Sequence, residues 1–154
     1  QRAEITITGR TKHYLSLCGE HLSVENMNKA VELSAEELGI TVKEFTVAGI
    51  RHDSLFAHQW YIGTDDEVDA DALRDKIDGH LKVLNDDYVV ERRHALKDVF
   101  VTVLPWATFL GWLDIRGKMG GQNKFPRVLK KNLIDEWEAY LLEQGLQVET
   151  VNLK

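Results

Sequence analysis

The stretch TVKEFTVAGIRHDSLFAHQWYIG, residues 41 to 63, decides the fold of this chain. Residues 41–50 are rich in β-branched side chains, and residues 56–63 alternate in the manner of a strand with two distinct faces. One face carries Phe56, His58, Trp60 and Ile62, and the other carries Ala57, Gln59 and Tyr61. The short gap from Arg51 to Leu55 suits a tight connection. The stretch therefore predicts a β-hairpin.

A helix is predicted on each side of this hairpin. Ser23 can cap a helix that runs to about Leu38, with Gly39 just past its end. Asp69 can cap a second helix, which Asn85-Asp86-Asp87 interrupts. The expected core faces are Val24, Met27, Val31 and Leu38 in the first helix and Leu73, Ile77, Leu81 and Leu84 in the second. Gly79 costs a helix about 1 kcal/mol relative to Ala, which predicts a close packing contact there.

Further strands are predicted outside these helices. His13–Leu17 reads as a short strand after the strand-like residues 4–8, and residues 99–104 are apolar on both faces, as in a central strand. The order from residue 13 to 104 is then β-α-β-β-α-β. This order predicts an α+β fold with a ferredoxin-like sheet and helices packed on it. The order alone identifies no function, because that fold serves many unrelated ones.

Two additional helices are predicted in the C-terminal part. Pro105 can open a short helix whose inward side chains are Phe109, Leu110 and Leu113. A final helix is expected from about Val128 to Gln144, and its core face carries Leu133, Ile134, Trp137 and Leu141. Gly145 ends it, and residues 146–153 can form an edge strand.

Composition narrows the class of protein. The 154 residues fit a single domain, 1–154, and the net charge of -6 opposes a nucleic-acid partner. The small basic cluster Arg92-Arg93-His94 with Lys97 is expected to be solvated surface. Apolar runs fall far short of the ~20 residues that cross a membrane, and the lone Cys18 suits a reducing compartment. We therefore expect a cytoplasmic protein. Because the first residue is Gln and not Met, and Ala3 to Thr8 is already strand-like, we also expect an excised part of a longer protein, although processing could give the same start.

Several familiar catalytic patterns are missing from the sequence. It contains no P-loop, no glycine-rich dinucleotide motif, no His-Glu-x-x-His and no Cys-x-x-Cys. The six histidines never fall four residues apart on a predicted helix, so no metal site is expected. No serine lies in a Gly-x-Ser-x-Gly elbow.

Two stretches remain as candidates for chemistry. In residues 9–31, a basic turn enters a strand and Gly19 precedes the Ser-capped helix, although a plain hairpin and cap would look the same. In residues 117–129, GKMGGQNKFPRVL, three glycines precede Lys124, and Pro126 stiffens the end. Arg127 and Lys130-Lys131 would make the surroundings of Lys124 positive, which suits an anionic ligand. The alternative is a solvent-exposed loop with incidental lysines.

Together these stretches resemble the Gretchen Hagen family of acyl acid amido synthetases, the auxin-responsive promoter family, in the C-terminal domain of its bacterial members. The likeness covers about residues 5 to 130. It is carried first by Gly9-Arg10, Leu15, Gly19, Leu22, Glu25 and Val31, and then by Pro105-Trp106-Ala107-Thr108-Phe109, Leu113-Asp114 and Gln122-Asn123-Lys124-Phe125-Pro126-Arg127. The chain departs from the family where Asn123 replaces Tyr and Ala107 replaces Gly.

The resemblance implies an ATP-dependent acid–amino acid ligase that forms an acyl-adenylate and then an amide. This chain would be its mobile C-terminal lid domain, inactive alone. ATP and Mg²⁺ would be bound mainly by an N-terminal domain that the chain does not contain, and the substrates would be a carboxylic acid and an amino acid.

The family match assigns roles to particular residues of this chain. Lys124 would be catalytic, and Gly19 and Glu20 would lie on the loop presented to the substrate in the second step. The nucleotide-binding residues would be Arg10, Lys12, Gln122 and Arg127. Coenzyme A-loading relatives are disfavoured, because the acidic residue often found at Lys12 or His13 and the lysine often found at Ser16 are both replaced here.

A second hypothesis rests on the order of elements alone. A free-standing ferredoxin-like module could bind a small anion or dimerise through an edge strand. Several hundred preceding residues with an ATP-binding region would favour the ligase, whereas a start codon next to Gln1 would favour the module.

Overall fold

The computed structural model of the chain describes residues 14–15, 22–52, 55–94, 96–118 and 125–145. These residues form six strands and five helices. In chain order they are β1 (Tyr14–Leu15), β2 (Leu22–Ser23), α1 (Val24–Leu38), β3 (Glu44–His52), β4 (Leu55–Gly63), α2 (Ala70–Leu84), α3 (Asp86–His94), β5 (Leu96–Leu104), α4 (Trp106–Lys118), β6 (Val128–Leu129) and α5 (Lys131–Glu143).

The predicted hairpin is the centre of a four-stranded sheet. Strands β3 and β4 pair antiparallel along their whole length, from Glu44 opposite Gly63 to His52 opposite Leu55. β5 adds parallel to β4, and β6 adds parallel to β3, which gives the strand order β5-β4-β3-β6. β1 and β2 form a separate antiparallel pair.

Helices cover both faces of this sheet, so that the domain has three layers. Trp60 and Ile62 of β4 are buried in a core with α1, α2 and α3, whereas Tyr61 between them is buried in a second core with α4 and α5. The alternation predicted for residues 56–63 is therefore confirmed at these positions. The α+β class, with a four-stranded sheet flanked by helices, is confirmed as well.

Most predicted helix ends and core faces are also confirmed. The Ser23 hydroxyl accepts the Asn26 N–H at 3.1 Å, and the Asp69 carboxylate accepts the Ala72 N–H at 3.2 Å. Gly39 ends α1 with a φ of +69°, a conformation that favours glycine. Fully or partly buried core residues are Val24, Met27, Val31, Leu38, Leu73, Ile77, Leu81 and Leu84, and in α5 Leu133, Ile134, Trp137 and Leu141.

Strand membership differs from the predicted order. The part of the predicted strand His13–Leu17 that the structure describes pairs with β2, outside the four-stranded sheet. Strand β5, which was predicted to be central, pairs with β4 and lies at the end of the four-stranded sheet among the described residues. The predicted strands at residues 4–8 and 146–153 lie outside the described residues.

In the C-terminal helices two local predictions are wrong, and one helix was missed. Leu110 is 45% exposed, because the neighbouring Phe109 and Trp112 turn into the core instead. Residues Val128–Leu129 form strand β6, so that α5 begins at Lys131. Helix α3, Asp86–His94, was not predicted. Among the described residues, none of the helices has the length and apolar character needed to cross a membrane.

The basic cluster on α3 is not wholly solvated surface. The Arg92 guanidinium donates to the Asp78 carboxylate at 3.0 Å and to the Leu96 carbonyl at 3.0 Å. Burial acts to raise the pKa of Asp78, but hydrogen bonds from the Tyr88 hydroxyl and Arg92 outweigh it and hold the pKa below its usual value. Arg92 therefore ties α2, α3 and β5 together at one edge of the sheet.

The packing contact predicted at Gly79 is absent, and a substitution can test this. A Cβ built on Gly79 meets no described atom within 4 Å, whereas a Cβ on Gly63 would lie 2.8 Å from the Phe109 ring. Gly79→Ala should therefore stabilise the domain by about 0.5–1 kcal/mol through helix propensity, and Gly63→Ala should destabilise it by about 1–3 kcal/mol. Thermal denaturation of both variants measures this, and a lower melting temperature for Gly79→Ala would contradict it.

Candidate functional site

Residues 125–130, which begin within the glycine-rich stretch 117–129, lie along the edge of the sheet at β3. The Val47 N–H donates to the Arg127 carbonyl at 2.8 Å, and the Thr46 hydroxyl donates to the Pro126 carbonyl at 2.7 Å. Val128 and Leu129 then pair parallel with Val47 and Ala48. Main-chain bonds thus hold this segment, which directly follows Lys124 in the sequence, against β3.

Phe125 anchors the start of the segment in the core. Its side chain is 5% exposed, and its ring centroid lies 4.8 Å from that of Trp112, 4.9 Å from Phe109 and 5.0 Å from Trp137. Two of these rings belong to α4, and Trp137 belongs to α5. Aromatic rings at such separations attract one another beyond the burial of their area.

Helix α4, which precedes the glycine-rich segment, is itself held on α5. The Tyr140 hydroxyl donates to the Thr108 carbonyl at 2.9 Å, and the Arg116 guanidinium donates to the Glu136 carboxylate at 2.9 Å. Arg116 also lies over the Trp112 ring, 5.0 Å from its centroid. Burial raises the pKa of the Tyr140 hydroxyl. The described residues on both sides of positions 119–124 are therefore packed on the same aromatic core.

Arg127 is the one predicted site residue that the structure describes. Its Nε donates to Asn28 Oδ1 at 2.9 Å, and its Nη1 donates to the Phe45 carbonyl at 3.0 Å and to the Glu44 carboxylate. The guanidinium carbon lies 4.2 Å from the centroid of the Phe45 ring. The predicted role of Arg127 in nucleotide binding stays a prediction, and in this structure its guanidinium is engaged by groups of its own domain.

The other predicted site residues lie outside the described residues. These are Lys124, Arg10, Lys12, Gln122, Gly19 and Glu20. In the stretch 9–31, which contains four of these residues, Leu22 is fully buried and Leu15 pairs with it across β1 and β2. The roles assigned to these six residues by family match stay predictions.

An open groove of about 710 Å³ lies beside Arg127, between α1 and the start of β3. Its charged wall residues are Glu25, Lys29, Glu32, Glu36, Lys43, Glu44 and Arg127. Carboxylates outnumber cations along it, which is unfavourable for a polyphosphate. Among the described residues, no group of three or more His, Cys, Asp or Glu side chains could hold a metal ion.

The chain therefore forms an α+β domain whose sheet separates two helical layers, with residues 125–130 along one sheet edge. Residues 25–133 match the GH3 family C-terminal domain. Because this match covers most of its length, the chain belongs to that family. No curated protein sequence matches it significantly.

Two solved structures are similar to the chain in fold. One is a GH3.15 acyl acid amido synthetase, with a TM-score of 0.61 and 17% identity, and the match covers 79% of this chain and 24% of that one. The other is AtGH3.15 acyl acid amido synthetase in complex with 2,4-DB, with a TM-score of 0.63 and 18% identity, covering 84% of this chain and 26% of that one. The chain thus spans about a quarter of the length of these structural relatives.

Proposed function

We propose that this chain is the C-terminal domain of an ATP-dependent ligase that joins a carboxylic acid to an amino acid. The observation that carries the proposal is the family match over residues 25–133. The blocks from Pro105 to Arg127 support it, because they occur in the same order as the family's motifs. The rest of the enzyme, including the ATP pocket and a magnesium site, would belong to an N-terminal domain.

The proposed reaction has two steps. A carboxylate oxygen attacks the α-phosphorus of ATP, the bond to the β-phosphate breaks, and pyrophosphate leaves. The nitrogen of the amine then attacks the acyl carbon, AMP leaves, and the nitrogen loses a proton as the amide forms. Water must be kept away between the steps, because it would hydrolyse the acyl-adenylate.

Lys124 is proposed to act in the first step. Negative charge grows on the α-phosphate oxygens and the departing pyrophosphate, and a preorganised cation aimed there lowers the barrier. Arg10, Lys12 and Gln122 are proposed to contact the nucleotide. Gly19 and Glu20 are proposed to face the second substrate. A domain that moves between the steps would allow the amine to enter where the lysine had been.

A pyrophosphate-release screen of the full-length protein tests the proposed function. The protein is supplied with ATP, magnesium and a panel of carboxylic acids that includes 2,4-DB, the compound bound in one structural relative, with and without amino acids. We expect release that depends on one class of acid, and amide product when an amino acid is added. If no acid in a broad panel causes pyrophosphate release, the ligase hypothesis is contradicted and the binding module is favoured.

A further inference from the structure

The guanidinium of Arg127 joins three elements of the domain that are far apart in sequence. Asn28 belongs to α1, Glu44 and Phe45 begin β3, and Arg127 immediately precedes β6. The bonds to Asn28 and Glu44 span 99 and 83 residues. Bonds that bridge such separations fix the relative positions of elements that the chain itself does not hold together.

The chemistry of this contact requires arginine. A guanidinium can donate to an amide, a carboxylate and a carbonyl at once while its flat face lies on an aromatic ring. The Phe45 ring beneath it is itself stacked on Trp60, with centroids 5.8 Å apart and planes 24° apart. A lysine would keep the charge but could not reproduce this set of contacts.

The contact also neutralises the positive charge of Arg127. The Glu44 carboxylate pairs with it, and Glu44 is largely shielded from solvent, with 16% of its side chain exposed. A phosphate would have to displace this carboxylate and approach a groove whose other charged residues are three carboxylates, Glu25, Glu32 and Glu36, and two lysines, Lys29 and Lys43. Both requirements oppose direct binding of a nucleotide by Arg127.

β6 is short, and Arg127 is one of several groups that hold it. The strand has only two residues, Leu129 is buried in the second core, and Val47 and Thr46 bond the carbonyls just before the strand. Arg127 adds the side-chain bonds that tie it to α1 and to the start of β3. Arg127 lies three positions after Lys124 in the sequence. A shift of the β6 segment would therefore pass through the chain to the residue that carries the proposed catalytic cation.

We propose that Arg127 is a positioning residue for adenylation: together with Glu44 and Asn28 it fixes the chain next to Lys124 and does not bind the nucleotide. This inference rests on the proposed function. It differs from the role that the family match suggests for Arg127, and the two roles make opposite predictions for Glu44. Loss of Glu44 frees Arg127 to meet a phosphate, but it also removes the contact that positions the segment.

The test uses the full-length protein with Arg127→Lys, Glu44→Gln and the double variant. Matched controls are Arg92→Lys and Asp78→Asn, an arginine–carboxylate pair at the opposite edge of the sheet that also bonds a backbone carbonyl. Acid-dependent exchange of pyrophosphate into ATP gives kcat and the KM for ATP. Hydrogen exchange of the peptide that covers residues 125–130 reports on β6 without any activity.

We expect each single variant to lower kcat by about tenfold, since small misplacements of a catalytic group cost one to two orders of magnitude. The KM for ATP should stay within about twofold, and the double variant should be no worse than the poorer single one, because coupled residues are not additive. Hydrogen exchange at residues 125–130 should accelerate in both single variants. In the controls, kcat, the KM for ATP and this hydrogen exchange should match those of the wild type.

A different pattern overturns the proposal. A large rise in the KM for ATP in Arg127→Lys, with Glu44→Gln unchanged, would show direct nucleotide binding. If the wild type shows no acid-dependent pyrophosphate exchange, the proposed function fails, and hydrogen exchange then decides only whether Arg127 and Glu44 fix the β6 segment. Unchanged hydrogen exchange at residues 125–130 in both single variants would refute that fixing in either case.

Discussion

Replacement of Trp137 by alanine should lower the free energy of unfolding by about 3–5 kcal/mol, the largest stability effect expected in this domain. Trp137 is fully buried, and its ring lies at the centre of the second core. Its centroid is 5.0–5.8 Å from the rings of Tyr61, Phe109, Trp112, Phe125 and Tyr140. Removal of the indole leaves a cavity that these rings cannot fill without losing their contacts with one another.

Two further variants test whether the loss of stability in Trp137→Ala comes from the cavity. Trp106→Ala is the same substitution on α4, where the side chain is only partly buried, and it should cost clearly less than Trp137→Ala. Trp137→Phe should retain much of the stability, because the indole N–H of Trp137 has no hydrogen-bond partner among the described residues. Urea unfolding of the three variants provides the comparison, and equal losses for Trp137→Ala and Trp106→Ala would contradict the central place of Trp137.

The hairpin and its two faces could be predicted because one short strand contains the whole pattern. Trp60 and Tyr61 are adjacent, both are fully buried, and they belong to different cores. Alternation of this kind follows from the geometry of an extended chain. The two faces can therefore be predicted from the strand alone. Both are buried because helices cover both sides of the sheet.

Helix α3 could not be predicted, since Asn85 acts in two ways. It ends α2, as the sequence indicates, but its side-chain oxygen also accepts the Tyr88 N–H at 3.0 Å. A residue that interrupts one helix thereby caps the next. Strand β6 was missed for another reason: Val128 and Leu129 pair with a parallel partner in β3 that lies 81 positions earlier.

The candidate site shows the same division between local and distant information. The motif from Gln122 to Arg127 stands out in the sequence, and the anchoring of its end by Phe125 agrees with the stiffness expected from Pro126. The partners Asn28 and Glu44 gave no local signal. Nothing in a helix-surface asparagine or a strand-initial glutamate distinguishes it until the fold brings it to Arg127.

Replacement of Lys124 by alanine should reduce acyl-adenylate formation by about 10²–10³-fold, the loss that follows removal of one preorganised group that stabilises developing negative charge. The effect should be confined to the first step. Amide formation from an acyl-adenylate supplied to the protein should retain most of its rate, because the lysine is proposed to withdraw before the amine attacks. Stability should change by no more than about 0.5 kcal/mol.

Lys130→Ala provides the matched control. Lys130 is an exposed lysine only six positions further along the chain, and its side chain makes no capping hydrogen bond at the start of α5. Its loss removes the same charge from the same region, so that a general effect of charge on nucleotide attraction would appear in both variants. A specific role predicts that Lys130→Ala exchanges pyrophosphate at nearly the wild-type rate.

The most direct measurement is acid-dependent exchange of labelled pyrophosphate into ATP by the full-length protein, compared among the wild type, Lys124→Ala and Lys130→Ala. We expect rapid exchange in the wild type and Lys130→Ala, and exchange reduced by at least about 10²-fold in a folded Lys124→Ala protein. Equal exchange in all three proteins would show that Lys124 has no part in adenylation.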